Sequence, residues 1–473
     1  MKRTFKLAAA GVAVALAGCA APDMEAAVSE ANALAGPVSG RAKAELQRDV
    51  TQREEAARLA SELLSKPLTA DGATQLALAN SPAFQAALAD SWGELAQARQ
   101  RGLPGGVAFS FERLREGADL ELGRLLSVGL FELITLPQRA RVSQIQSEQA
   151  RIRMAGAIVD QAANARQAWV RAVAAREVEV YAVQVKEAAE ASAELARRMQ
   201  QVGNFTRLQA ARQHLFYADA TSRLATARQA AVSSREALAR QLGLTGAQAR
   251  DLKLPERLPD LPKAPKGPEE VSKALASQRL DARLARLELE AAGRSRGVDL
   301  ASSLLDVELG ARRDTRFEGN GGRSTTRGWE LELRLPVFDW GSTRSAALDA
   351  RSLAAANRYE AVTRAASSQA RESYSAYRTA FDQAKHQRDE MVPLRKTISE
   401  ENVLRYNGML IGVFELLADA RDQVSGVISA IEAQRDFWLA DASLSATLIG
   451  RPVAGAAASA TSAGGAASPE AGH

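Results

Sequence analysis

The sequence predicts a mainly α-helical chain with a small β part, internally duplicated, in which long antiparallel coiled-coil-like helices are joined to four strands per chain. Three observations carry that prediction. Residues 139–201 and 342–406 are rich in Ala, Gln, Glu, Arg and Leu and nearly free of helix breakers, a composition that favours long helices. Parts of 305–337 instead alternate apolar and charged side chains, the period of a strand wet on one side. The same succession of patterns also occurs twice, roughly 200 residues apart.

The long helical stretches come first in strength. Residues 139–201 hold no proline and one glycine, Gly156, and 342–406 hold the single Pro393. At about 1.5 Å per residue the first is roughly 90 Å of helix. Pro393 is expected to kink the second. Each is followed by a break, at Gly203 or Gly408, and a shorter return helix, Leu208 to Gln241 or Val413 to Leu448. Helices of this length outrun any globular core and must pair side by side, with Ala permitting close approach.

The clearest strand has Trp329, Leu331, Leu333, Leu335 and Val337 alternating with Glu330, Glu332 and Arg334. Leu305, Val307, Leu309 and Ala311 alternate likewise with Asp306, Glu308, Gly310 and Arg312, and 316–327 is a polar, Gly-rich loop between them. In the first copy Val107, Phe109 and Phe111 alternate with Ser110 and Glu112, and a second strand is expected from Leu120 to Leu136. An apolar face opposite a charged one suits a sheet packed on a core or a sheet between lipid and water. Trp329 and Trp340 flank the apolar band as interfacial aromatics do. Four strands cannot close a barrel. Two copies would supply eight strands, and three would supply twelve, with room for a pore.

The duplication sets the domain boundaries. Repeat 1 spans 68–244, with strands at about 107–136, and repeat 2 spans 268–452, with strands at about 300–338. Each is expected to open with an amphipathic helix, Ala73 to Arg101 and Glu269 to Arg296. Arg141 matches Arg344, Arg166 and Trp169 match Arg371 and Tyr374, and Leu242-Gly243 matches Ile449-Gly450. Between the repeats, 245–267 is a Pro-rich linker in which the prolines from Pro255 to Pro265 forbid helix. The tail 453–473 is Ala, Gly and Ser, a composition of disorder.

At the N-terminus, Lys2, Arg3 and Lys6 precede an apolar run from Leu7 to Ala17. Residues 1–18 read as a secretory signal peptide, too short to span a membrane as a mature helix. The run ends in Leu16-Ala17-Gly18-Cys19, which resembles the lipobox of bacterial lipoproteins. The resemblance implies cleavage before Cys19 and covalent acylation, of the palmitate type, on its thiol. Ala20 in place of Asp implies sorting to the outer membrane. Residues 19–67 are then a lipid-anchored tether. No other segment holds about 18 consecutive apolar residues, so any membrane crossing must use strands in a closed barrel.

Composition narrows the function classes. Aromatics are only 5% and charged residues 25%, which fits helices rather than a β-rich core. The net charge of +5 comes from Arg interleaved with Glu, as at Arg171, Arg176, Glu177 and Glu179, the pattern of solvated helix faces. Basic clusters interleaved with aromatics are missing, which argues against nucleic acid. His214, His386 and His473 have no partners at metal-ligand spacing, and Cys19 is the only cysteine. No Ser-His-Asp order or phosphate-cradling Gly loop stands out. The chain is therefore expected to be no enzyme, with no catalytic residues, no metal site and no cofactor beyond the lipid on Cys19.

Three motifs in order, Ala77-Leu78-Ala79-Asn80-Ser81-Pro82, Leu335-Pro336-Val337-Phe338-Asp339-Trp340-Gly341 and the run from Arg405 through Gly408 and Gly412 to Arg421, resemble the TolC-like outer-membrane efflux factors. The resemblance covers 68–452. It implies a homotrimer in the Gram-negative outer membrane, with a 12-stranded transmembrane β-barrel and a periplasmic α-barrel of twelve helices. It places the turns at Gly203 and Gly408 on a tip where a periplasmic adaptor docks, with energy supplied by an inner-membrane pump. It also points to Glu415 and Asp419, with Arg421 and Asp422 beside them, as the periplasmic entrance or gate. A three-fold carboxylate ring in a narrow pore binds cations; the other reading of these acids is a solvated face pairing with Arg421. Residues 406–421 are similar to the heavy-metal-efflux branch, which implies metal cations as a substrate class beside drugs and other solutes. The competing role is a lipid-anchored periplasmic coiled-coil adaptor or scaffold that does not span the membrane.

Overall fold

The repeat in the sequence is a repeat of elements in the computed structural model, which describes residues 23–304, 306–318, 320–334 and 341–452. Cys19, the 335–340 part of the strand-to-helix motif and the 453–473 tail lie outside the described residues. After α1 (Met24–Ser39) and α2 (Val50–Leu64), the first copy runs α3 (Ala70–Asn80), α4 (Pro82–Arg101), β1 (Val107–Glu116), β2 (Asp119–Gly129), α5 (Leu130–Gln201) and α6 (Arg207–Leu242). A short α7 (Gly246–Asp251) follows. The second copy runs α8 (Pro268–Gln278), α9 (Leu280–Leu304), β3 (Asp306–Phe317), β4 (Arg323–Arg334), α10 (Ser342–His386), α11 (Val392–Asn407) and α12 (Val413–Leu448). The chain is mainly α with one four-stranded antiparallel sheet.

Several boundaries differ from those expected. β2 ends at Gly129, and 130–136 form the first turns of α5 rather than a strand. Ile134 and Thr135 are β-branched, but the period-two alternation stops before them, and helix continues through Pro137. In the second copy helix α9 reaches Leu304, so the strand region begins at Asp306 rather than near 300. The single opening helix expected in each copy is two. Pro82 accounts for the first break, because the residue before a proline is pushed from the α region, and Ser81 sits at φ −77°, ψ 115°. Arg279 breaks the second at φ −69°, ψ 111° without a proline. The kink expected at Pro393 is a π turn, Gln387–Met391, immediately before it. Widening the helix there relieves the clash between the proline ring and the carbonyl four residues back.

Contacts divide the chain into two units. One contains the sheet with 89–154 and 282–364. Its helices are fastened by polar bridges: Arg153 pairs with Glu94 at 3.2 Å and Glu288 at 3.5 Å, and Arg296 pairs with Asp349 at 2.7 Å.

The other unit contains 28–88, 155–281 and 365–452 among the described residues. Each copy closes here in the same way. The return helix ends on a left-handed glycine, Gly243 at φ 67° or Gly450 at φ 81°, seated against the break between the copy's two opening helices. Asn80 Nδ2 donates to the carbonyls of Leu242 at 3.1 Å and Gly243 at 2.9 Å. In the second copy Leu280 N donates to Ile449 O at 2.8 Å. The matched aromatics play matched parts: Trp169 Nε1 donates to Leu68 O at 2.7 Å and Tyr374 Oη to Lys266 O at 3.3 Å. Trp169 sits in a core with Leu76, Leu238, Leu242 and Ile431, and Tyr377, Phe381 and Phe437 form a second.

The linker is a packed strap. Leu252, Leu254 and Leu258 enter the Trp169 core and Leu261 enters the Phe437 core. Trp438 Nε1 donates to Pro259 O at 3.0 Å. The tether is held too: Asn32 exchanges two hydrogen bonds with Ala44, at 2.9 and 2.8 Å, and Leu64 joins the Trp169 core.

Under this strap Glu177 accepts from Leu258 N at 3.4 Å. Half-burial pushes its carboxyl above the ordinary range, outweighing the lowering by the Leu258 hydrogen bond and Arg257. A carboxyl raised on folding costs stability while ionised, and that cost disappears as pH falls through the folded value. Glu177→Gln keeps an acceptor and removes the charge. Its thermal midpoint is expected to exceed that of the parent at about pH 8 and to match it at about pH 4.

Candidate functional site

The registers run without a bulge from Val107↔Val128 to Glu116↔Asp119, from Leu120↔Phe317 to Gly129↔Glu308, and from Asp306↔Arg334 to Phe317↔Arg323. Directly paired residues share a face, so every strand position is assigned. On one face Val107, Val128, Leu309 and Leu331 form a cross-strand row, and Phe109, Leu126, Ala311 and Trp329 form the next. This face is apolar yet uncovered: Trp329 is 77% exposed and Phe109 65%. A sheet packed on helices would bury these residues. A contiguous exposed apolar patch marks a surface meant for lipid or another chain.

The opposite face is polar. It carries Glu112, Glu116, Asp119, Glu121, Glu308, Asp314, Glu330 and Glu332 against Arg312 and Arg316. Arg312 reaches Asp314 at 2.8 Å, Glu330 at 3.7 Å and Glu112 at 3.8 Å, linking three of the four strands and both copies. Arg316 reaches Asp119 at 3.0 Å and Glu116 at 3.9 Å. The sheet order is β1-β2-β3-β4, which leaves β1 and β4 as open edges among the described residues. Long open edges invite pairing with another copy.

The helix-turn tips differ between copies. At the first, Gly203 is left-handed at φ 80°, and Thr206 caps α6 with Gln209 in a reciprocal capping box. At the second, Gly408 has φ −79°, and the left-handed residue is Met409 at φ 60°. The break expected at Gly408 is where α11 ends, and the left-handed conformation falls one residue later. Gly408 N donates to Leu404 O and Leu410 N to Arg405 O, so the reversal falls on the residue between them. Met409 is 92% exposed, so its side chain gives no packing in return for the strain. Met409→Gly is expected to stabilise this tip by about 0.5–1 kcal/mol, read as slower amide exchange across 405–412.

The four residues expected at the entrance all lie on the first turns of α12. Glu415 is exposed in the first turn, where the helix N-terminus favours a carboxylate. Asp419 is half-buried one turn on, with Oδ2 shielded from solvent and without a hydrogen-bond partner among the described residues. Arg421 does not pair with either acid. Its guanidinium lies 4.4 Å over the Phe216 ring and donates to Arg212 O at 3.3 Å, tying α12 to α6. Asp422 is exposed, and its carbonyl accepts from Arg395. Among the described residues no three His, Cys, Asp or Glu side chains gather as metal ligands, and no helix is long and apolar enough to cross a membrane.

Residues 271–399 match the family model described as outer membrane efflux protein. The fold is similar to that of a membrane protein from Pseudomonas aeruginosa, with TM-score 0.66 and 20% identity, covering 83% of this chain and 93% of that one. It is also similar to the outer membrane protein VceC of Vibrio cholerae, with TM-score 0.67, 16% identity and coverage of 81% and 96%. The open-state outer membrane channel MtrE of Neisseria gonorrhoeae gives TM-score 0.63, 19% identity and coverage of 80% and 89%. No curated protein matches the chain significantly by sequence.

Proposed function

We propose that this chain, of which residues 271–399 match the outer membrane efflux protein model, is a TolC-like outer membrane efflux protein with the role of exit duct in a tripartite efflux system. Three copies, lipid-anchored through Cys19, form one channel in the Gram-negative outer membrane. It conducts passively what an inner-membrane pump and a periplasmic adaptor deliver. The observation that carries this reading is the two-faced sheet with open edges at β1 and β4. Pairing β4 of one copy with β1 of the next closes twelve strands, with apolar rows toward lipid and carboxylates toward water. Leu215, Val232, Leu353 and Leu394 are exposed on the helices of a single chain and supply apolar contacts between copies. The tips at Gly203 and at Gly408-Met409 are the adaptor's docking points, and Glu415 and Asp419 form the entrance ring.

The acidic inner face and the entrance carboxylates favour cations, with metal cations as the substrate class. The test is conductance of the purified oligomer in a planar bilayer. Detergent-stable trimers with cation-preferring pores are expected, and Glu415→Gln with Asp419→Asn should reduce that preference. Monomers that never conduct would overturn the duct and favour the non-spanning scaffold.

A further inference from the structure

The apolar face of the sheet changes character toward the hairpin tips. Directly beyond the Phe109 to Trp329 row, Arg124, Arg313 and Arg327 are cross-strand neighbours in a single row. Nearer the tips the same face carries Arg113, Arg115 and Arg323. The carboxylates of the described strand side chains all lie on the opposite face. None of these six guanidiniums has an ion-pair partner among the described residues; Arg323 only stacks on Phe317, at 5.4 Å. On the other face Arg312 holds three acids and Arg316 two.

Like charges directly opposite on neighbouring strands, with Cβ atoms about 4.5–5.5 Å apart, destabilise a sheet. A lipid-facing arginine costs about 2–4 kcal/mol at the bilayer midplane and about 0–1 kcal/mol near the interface. A row of three unpaired arginines is therefore tolerable on a lipid-facing surface only at headgroup level, and only beside anions. The helices join the sheet at its apolar end, so the arginine end is the one remote from them, toward the outer leaflet. Guanidinium binds phosphate bidentately, which ammonium does not, and all six cations are arginine.

Resting on the membrane-barrel reading above, we propose that this belt binds the phosphate groups of an outer-leaflet glycolipid of the lipid A type. The phosphates sit between Arg124, Arg313 and Arg327 and relieve their mutual repulsion. The lipid thereby stabilises the assembled barrel.

The test compares three full-length proteins in phosphatidylcholine vesicles with and without bisphosphorylated lipid A. They are the parent, the triple variant Arg124→Gln, Arg313→Gln, Arg327→Gln, and a charge-matched control, Arg364→Gln, Arg378→Gln, Lys396→Gln. The control removes exposed cations of i,i+4 helix pairs. Lipid A is expected to raise the temperature of trimer dissociation by about 5 °C for parent and control and to leave the triple variant nearly unmoved. An equal rise in the triple variant overturns the proposal, as does an equal rise of the parent with inorganic phosphate alone. Failure of the parent to conduct in phosphatidylcholine would instead overturn the barrel reading on which it rests.

Discussion

Gly243→Ala is expected to destabilise the helical unit by about 2–5 kcal/mol. Two costs add. Gly243 is left-handed at φ 67°, where a Cβ costs roughly 1–2 kcal/mol. That Cβ would also lie 2.6 Å from Ser81 Cα and 2.7 Å from Asn80 O. Both are backbone atoms of the break between α3 and α4 and cannot swing aside, so an overpacking cost of about 1–3 kcal/mol follows. Gly203→Ala is the internal comparison. It has the same left-handed strain, at φ 80°, with nothing within 4 Å of the new Cβ, and should cost only about 1–2 kcal/mol. The thermal midpoints of the two variants, measured side by side, separate steric closure of the repeat from turn strain.

Leu331→Arg is expected to abolish insertion while leaving the helical unit folded. Leu331 sits in the Val107, Val128, Leu309 row at the apolar end of the sheet. A lipid-facing arginine at that depth costs about 2–4 kcal/mol per chain, and an oligomer takes it once per copy. Glu330→Gln, one residue away on the polar face, removes one of the acids that hold Arg312. It should still insert, with weaker cation preference. Vesicle flotation and far-UV helicity distinguish lost insertion from lost folding. Equal insertion of both variants would contradict the face assignment.

Much of this was legible from residue pattern. The alternation from Trp329 to Leu333 marks a strand with one apolar face, whereas the single helix expected over Ala73 to Arg101 runs past the break that Pro82 imposes. The paired positions Trp169 with Tyr374, and Gly243 with Gly450, do the same work in the two copies. What escaped depends on distant contacts. No proline makes Arg279 extended. Its conformation serves a guanidinium only 5% exposed, which pairs with Asp281 and donates to Ala366 O at 3.1 Å and Gln369 at 3.1 Å. The leucines of the linker at 252, 254, 258 and 261 were a signal of packing that its prolines obscured. Met409 rather than Gly408 takes the left-handed position because the hydrogen bonds of the turn, not residue preference, decide it. The row Arg124, Arg313, Arg327 unites strands nearly two hundred residues apart, and only the β2–β3 register assembles it.

The central claim is that one face of the sheet meets lipid and the other meets water. It is tested most directly by placing single cysteines in turn at Val107, Ala108, Phe109, Ser110 and Phe111, in a sequence whose only native cysteine is Cys19. The proteins are reconstituted in vesicles and exposed to a charged, water-soluble thiol reagent. The account predicts labelling at 108 and 110 and protection at 107 and 109, with 111, beside Arg124 at headgroup level, labelled as well. Uniform labelling along the strand, or the opposite alternation, would contradict it.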